Sequence, residues 1–131
     1  MSQTFLIADD SAFARFFMKD VLGSINDTAK IIEANSGEDA LLKASSNTID
    51  FFLLDMNMGE PDGLQVAKDL ISSGTNPSQI TMITGNKSTS LVDAAKHIGI
   101  NYINKVINPK DKPRFAEELC ACIKGGNNNA G

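Results

Sequence analysis

Phe5-Leu6-Ile7-Ala8-Asp9-Asp10 joins four apolar residues directly to two carboxylates, and the reading of that junction decides the fold. Phe51-Phe52-Leu53-Leu54-Asp55 repeats the arrangement near mid-chain. Apolar runs of this length with little alternation are the pattern of strands covered on both faces, as in a parallel sheet. Carboxylates that close such strands gather at one end of the sheet.

Working outward, strand-like runs are predicted at Thr4–Ala8, Lys30–Ala34, Asp50–Leu54, Ile80–Thr84 and Asn101–Ile103. Helical patterns lie between them. Ala14, Phe17, Met18, Val21 and Leu22 recur at helical spacing behind Ser11, an N-cap residue type. Ser36 stands three residues before Asp39, with Ala40, Leu41 and Ala44 following on one side. A third helix is predicted from about Gly63 to Ser73, with Leu64, Ala67, Leu70 and Ile71 inward and Gly74 as its stop. Leu91, Ala94, Ala95 and Ile98 mark a fourth helix ending at Gly99. A fifth begins near Pro113 and buries Phe115 or Ala116, Leu119, and Cys122 or Ile123. Strands alternating with helices imply an α/β fold, a doubly wound parallel sheet of five strands with right-handed crossovers. Residues 1–124 read as one domain. The segment 125–131, Gly-Gly-Asn-Asn-Asn-Ala-Gly, is expected to be a disordered tail.

The bulk composition narrows the function classes. A chain of 131 residues with 42 % hydrophobic content builds one ordinary core. The formal net charge of −4, without basic runs, argues against nucleic acid as a partner. The sequence has no apolar stretch of bilayer length and no secretory leader pattern, so a cytoplasmic location away from membranes is expected. Cys120 and Cys122 point roughly opposite ways on a helix and are read as reduced thiols, one facing the core. His97 has no second histidine or nearby cysteine with which to share a metal.

Chemistry concentrates where ligands bind in open α/β sheets, beyond the carboxyl ends of the strands. Asp9, Asp10, Asp55, Thr84 and Lys105 all fall there. Three carboxylates in one place repel one another unless a hard divalent cation is present. Asp55 is the candidate nucleophile, since a carboxylate can attack a phosphoryl group and form an acyl phosphate. The ammonium of Lys105 and the hydroxyl of Thr84 would stabilise the phosphoryl oxygens. Gly85 leaves room for them.

Taken together, these residues resemble the receiver domain of response regulators, the CheY-like family. Five segments over about residues 4–124 carry the resemblance: Ile7-Ala8-Asp9-Asp10-Ser11, Leu53-Leu54-Asp55-Met56-Asn57-Met58, Asp62-Gly63-Leu64, Met82-Ile83-Thr84-Gly85 and Tyr102-Ile103-Asn104-Lys105. The resemblance implies the strand order 2-1-3-4-5. It implies that Asp9, Asp10, Asp55 and the backbone carbonyl of Asn57 hold Mg²⁺ (or Mn²⁺), and that Asp55 is the phosphoacceptor. Thr84 and Tyr102 would be the switch residues, Lys105 the phosphoryl-binding lysine, and Asn57 and Asn86 the positions that tune hydrolysis.

A sensor histidine kinase or a histidine phosphotransfer protein would be the donor. The output would pass by protein contact through the face of the fourth helix, fifth strand and fifth helix. Phe13 and Phe16 lie off the inward stripe of the first helix and are candidates for docking the donor. On this reading the domain is a signalling switch that catalyses its own phosphorylation and dephosphorylation.

Some positions depart from the family pattern. Val106 follows Lys105 where the family carries proline, commonly after a cis bond. A cis bond before a non-proline residue costs about 3 kcal/mol, so a trans or strained link is expected. Gly59 stands where the family often has proline, with Pro61 two residues later. A phosphatase of the haloacid-dehalogenase type would want a second aspartate two residues after the first, where Asn57 stands. A pseudo-receiver that binds partners without phosphorylation is the other rival. A flavin mononucleotide binder is disfavoured, because Asp9-Asp10 would repel the flavin phosphate.

Overall fold

The computed structural model describes residues 3–85, 88–105 and 108–125. Five strands form one sheet: β1 Thr4–Ala8, β2 Lys30–Ala34, β3 Phe51–Asp55, β4 Ile80–Thr84 and β5 Asn101–Asn104. All neighbours are parallel and the order is β2-β1-β3-β4-β5. Five helices alternate with them: α1 Ala12–Ile25, α2 Gly37–Ser46, α3 Gly63–Ser72, α4 Thr89–Ile98 and α5 Lys112–Gly125. The predicted α/β class, strand count and order are those observed.

Strand alternation divides the core into two layers. Phe5 and Ile7 of β1, with Leu53, Ile83 and Ile103, pack against α1 and α5. Leu6 and Ala8, with Phe52, Leu54, Ile80 and Met82, pack against α2, α3 and Ala95 of α4. The Phe17 and Phe115 rings, with centroids 5.8 Å apart, join α1 to α5.

Local chemistry sets the helix ends. The Ser11 hydroxyl accepts from the Ala14 amide, Ser36 from the Asp39 amide and the Asp62 carboxylate from the Gln65 amide. Gly99 closes α4 at φ +86°, a left-handed conformation that glycine adopts without steric cost.

Three expectations need correction. The third strand is Phe51–Asp55 rather than Asp50–Leu54, because Asp55 still pairs in register with Ile83. β5 continues one residue further to Asn104, which pairs with Thr84. In α3 the buried stripe is Gly63, Val66, Ala67 and Leu70, while Leu64 and Ile71 sit half-buried at its flank. Helix α5 includes Gly125, and the remainder of the expected tail lies outside the described residues.

Candidate functional site

The sheet register builds the site. Ile7 lies beside Leu53 and Ala8 beside Leu54. One further step along the same register brings Asp9 beside Asp55. Both share the strand parity of Ile7 and Leu53, whose side chains belong to the α1 and α5 layer. Lys105 follows the end of β5, tied by its amide to the Thr84 carbonyl at 2.9 Å. Its ammonium reaches back to Asp9 Oδ2 at 2.8 Å and to Asp55 Oδ1 at 3.5 Å. Of the five residues that the sequence placed at strand ends, Asp9, Asp10, Asp55 and Lys105 form one cluster.

The two members of the acid pair are not equivalent. Asp9 is fully buried, whereas Asp10 is exposed. Every polar group of Asp9 except Oδ2 has a hydrogen-bond partner. Its amide donates to the Ala34 carbonyl at 3.1 Å, and Oδ1 accepts from the Ser11 amide at 2.9 Å. Its carbonyl accepts from the Arg15 guanidinium at 2.6 Å. Oδ2 meets Lys105 as an ion pair, with no well-directed hydrogen bond to that oxygen.

Burial, then the Asp9 charge, raises the pKa of Asp55 from 3.8 to about 6; Lys105 opposes the rise and Asp10 adds to it. Burial works against the Lys105 ammonium. The close contact with the Asp9 carboxylate and the charges of Asp55 and Asp9 outweigh it and hold Lys105 above its ordinary value. The cluster is therefore short of positive charge. Asp9, Asp10 and Asp55 each offer one carboxylate oxygen, all within 4.8 Å of one another. Hard oxygen donors at that spacing, one of them a buried oxygen without a directed donor, suit Mg²⁺ or Mn²⁺.

The other predicted residues surround this cluster. Thr84 is buried at the end of β4, one strand over from Asp55. Gly85 is exposed, and a side chain there would meet open space. Tyr102, paired in register with Met82, packs against the α2–α3–α4 layer. Asn57 is exposed in the loop two residues after Asp55. In that loop Gly59 adopts φ +85° and the Glu60–Pro61 bond is cis. Asn86 and the Lys105–Val106 link lie outside the described residues.

Phe13 and Phe16 are 64 % and 65 % exposed, side by side on the first turns of α1 next to Asp10. Cys122 packs against the α1–α5 layer, and burial pushes its thiol pKa up. His97 is exposed in the last turn of α4.

Two residues, one of them the Gly63 already read as the start of a helix, were given no role at the site from the sequence. Gly63 opens α3 directly under the phosphoacceptor candidate. A Cβ there would stand 2.4 Å from the Asp55 carbonyl oxygen, and its amide donates to the Met56 carbonyl. Arg15 holds the acid loop from the side. A cation so near a helix N-terminus works against the helix dipole, and that misfit was the signal available in the sequence.

A five-stranded parallel sheet in this order, with an acid cluster and a lysine at its carboxyl edge, defines a class of signalling-switch domain. The family described as "Response regulator receiver domain" matches residues 5–113. The chain belongs to that family. It is 35 % identical over 101 residues to protein-glutamate methylesterase/protein-glutamine glutaminase 5 of Myxococcus xanthus, covering 76 % of this chain and 29 % of that protein. It is 28 % identical over 118 residues to the nitrate/nitrite response regulator protein NarL of Escherichia coli, covering 90 % of this chain and 55 % of NarL.

The chain thus spans only about a third of the methylesterases it matches and about half of NarL. Among solved structures, the response regulator domain of Thermotoga maritima CheB superposes with a TM-score of 0.81 at 23 % identity, covering 98 % of each chain. The CheX-CheY-BeF3-Mg+2 complex of Borrelia burgdorferi gives 0.77 at 23 % identity, covering 91 % of this chain and 87 % of that one. Among the described residues, no helix is long and apolar enough to cross a membrane.

Proposed function

We propose that this receiver domain takes a phosphoryl group onto Asp55 from a phosphohistidine of a sensor kinase or phosphotransfer protein. The observation that carries the proposal is the joint placement of Asp9, Asp10, Asp55 and Lys105 within ion-pair and cation-sharing distance. An Asp55 carboxylate oxygen attacks the phosphorus as the P–N bond to the donor imidazole breaks. The imidazole leaves with the electron pair and takes a proton from solvent. Hydrolysis reverses the outcome at Asp55: water attacks phosphorus, inorganic phosphate departs and the carboxylate is restored.

Asp9, Asp10, Asp55 and the carbonyl of Asn57 would hold Mg²⁺ (or Mn²⁺), which neutralises charge on the phosphoryl oxygens when bound. Lys105, already shared between Asp9 and Asp55, transfers its hydrogen bonding to a phosphoryl oxygen. Thr84 donates its hydroxyl to another. Asn57 and Asn86 set access of the hydrolytic water. Phosphorylation then favours the state in which Thr84 has moved toward Asp55 and Tyr102 has followed, a population shift at the face of α4, β5 and α5. That face carries the signal to a downstream protein.

Phe13 and Phe16 present an apolar edge beside Asp10 that fits a docking donor. Phe16→Ser should slow transfer from the donor while leaving acetyl phosphate unaffected; equal slowing of both would remove the docking role. Beryllofluoride mimics the phosphoryl group and accompanies Mg²⁺ in the Borrelia complex of the same fold. Tyr102 is the only tyrosine, and the chain has no tryptophan, so its fluorescence reports on β5 alone. Titration with beryllofluoride and Mg²⁺ should change that emission saturably, and Asp55→Asn should abolish the change. Absence of any saturable response in the parent protein would leave a phosphorylation-independent binding module as the better reading.

A further inference from the structure

Arg15 lies outside the acid cluster yet determines how its loop sits. Its Nη1 donates to the Asp9 carbonyl at 2.6 Å while its Nε donates to Glu33 Oε1 at 2.8 Å. Glu33 is anchored in turn: Oε2 accepts from Lys19 at 3.1 Å, and its backbone carbonyl accepts from Lys43 at 2.6 Å. The Arg15 side chain is only 16 % exposed. The Asp9 amide is bound by the Ala34 carbonyl at 3.1 Å, so β2 holds the Asp9 amide directly and its carbonyl through Glu33 and Arg15. The peptide that Arg15 grips is the one linking Asp9 to Asp10. The exposed Asp10, on the far side of that peptide bond, offers a carboxylate oxygen within 4.8 Å of the other two acids.

We propose that Arg15, held by Glu33, is a positioning residue that sets divalent-cation affinity by fixing the Asp9–Asp10 peptide. The inference rests on the phosphoacceptor reading, since it assigns the acid cluster to a cation. Groups that orient a ligand from behind commonly change metal affinity when removed. Charge alone predicts the opposite sign. Arg15 is itself a cation near a cation site, so its removal would tighten binding if repulsion were its whole effect. Lysine cannot replace it, because the two donors leave a rigid planar fork in two fixed directions.

The test is calorimetric titration with manganese chloride on the whole chain, with circular dichroism to confirm folding. Arg15→Met should weaken Mn²⁺ binding on the order of 10-fold. Arg15→Lys, which keeps the charge, should weaken it as well, and Glu33→Gln should weaken it by a smaller factor. Arg114→Met removes an exposed cation of α5 that pairs with Glu118, outside the Arg15–Glu33 link, and should leave the affinity unchanged. Should Arg15→Met fail to fold, Arg15→Lys and Glu33→Gln carry the comparison. Unchanged or tighter binding in the folded Arg15 variants overturns the inference while leaving the phosphoacceptor reading intact. A parent chain that binds no Mn²⁺ overturns both.

Discussion

Replacing Asp55 with asparagine should stabilise the metal-free protein at neutral pH. Burial and the neighbouring Asp9 charge raise the pKa of Asp55 from 3.8 to about 6. Between those two pH values the folded chain keeps a proton that the unfolded chain has lost. Stability therefore falls as pH rises through that window, and the loss is complete above about pH 6. The shift from 3.8 to about 6 corresponds to about 3 kcal/mol.

Asparagine removes this cost but weakens the contact with Lys105, which lies 3.5 Å from Asp55 Oδ1. A net gain of about 1–2 kcal/mol remains. For a domain of this length that raises the melting temperature by about 4–8 °C. Circular dichroism melts in a chelator, at about pH 7.5 and again at about pH 4.5, read it directly. The gain should be present at the higher pH and nearly absent at the lower, where the parent carries its own proton. Saturating Mg²⁺ should also narrow the gap, because it binds the parent fold more strongly. An Asp55→Asn protein that melts at or below the parent at about pH 7.5 in chelator would refute the reasoning.

Other expectations follow from single contacts. Gly63→Ala forces a methyl to within 2.4 Å of the Asp55 carbonyl oxygen and should cost about 1–3 kcal/mol. An unchanged urea midpoint would contradict that. Lys105→Met strips the buried Asp9 carboxylate of its ammonium partner and should destabilise the chelated protein by about 3 kcal/mol. The same change removes a cation competing for the acids, so Mn²⁺ binding should tighten. Weaker binding by calorimetry would place Lys105 outside the electrostatics of the site.

Much of this architecture was legible because β1, β2 and β4 announce themselves as short apolar runs with abrupt ends. The boundaries of β1 and of β4 agree with the observed strands residue for residue. β3 was harder. Asp55 is chemically a loop residue and structurally the last member of a strand, because parallel pairing with β4 overrides the low strand propensity of aspartate. The α3 stripe was displaced for a related reason. Gly63 lets the helix press against the Asp55 backbone, and that seating turns Val66 rather than Leu64 fully inward.

The acid cluster itself could be inferred from strand ends. The inequality of Asp9 and Asp10 could not, since two identical residues differ only in which side of the strand end each faces. Still less visible was the Arg15–Glu33 link, which joins residues 18 apart in sequence. No local periodicity couples a helix residue to the end of a neighbouring strand.

Asp55 as phosphoacceptor is the claim on which the functional account stands. Intact-mass spectrometry after incubation with acetyl phosphate and Mg²⁺ measures it most directly. The account predicts addition of a single phosphoryl group, located on the peptide containing Asp55 and missing from both Asp55→Asn and chelated samples. An unmodified parent protein, or a phosphoryl group that persists in Asp55→Asn, would contradict it.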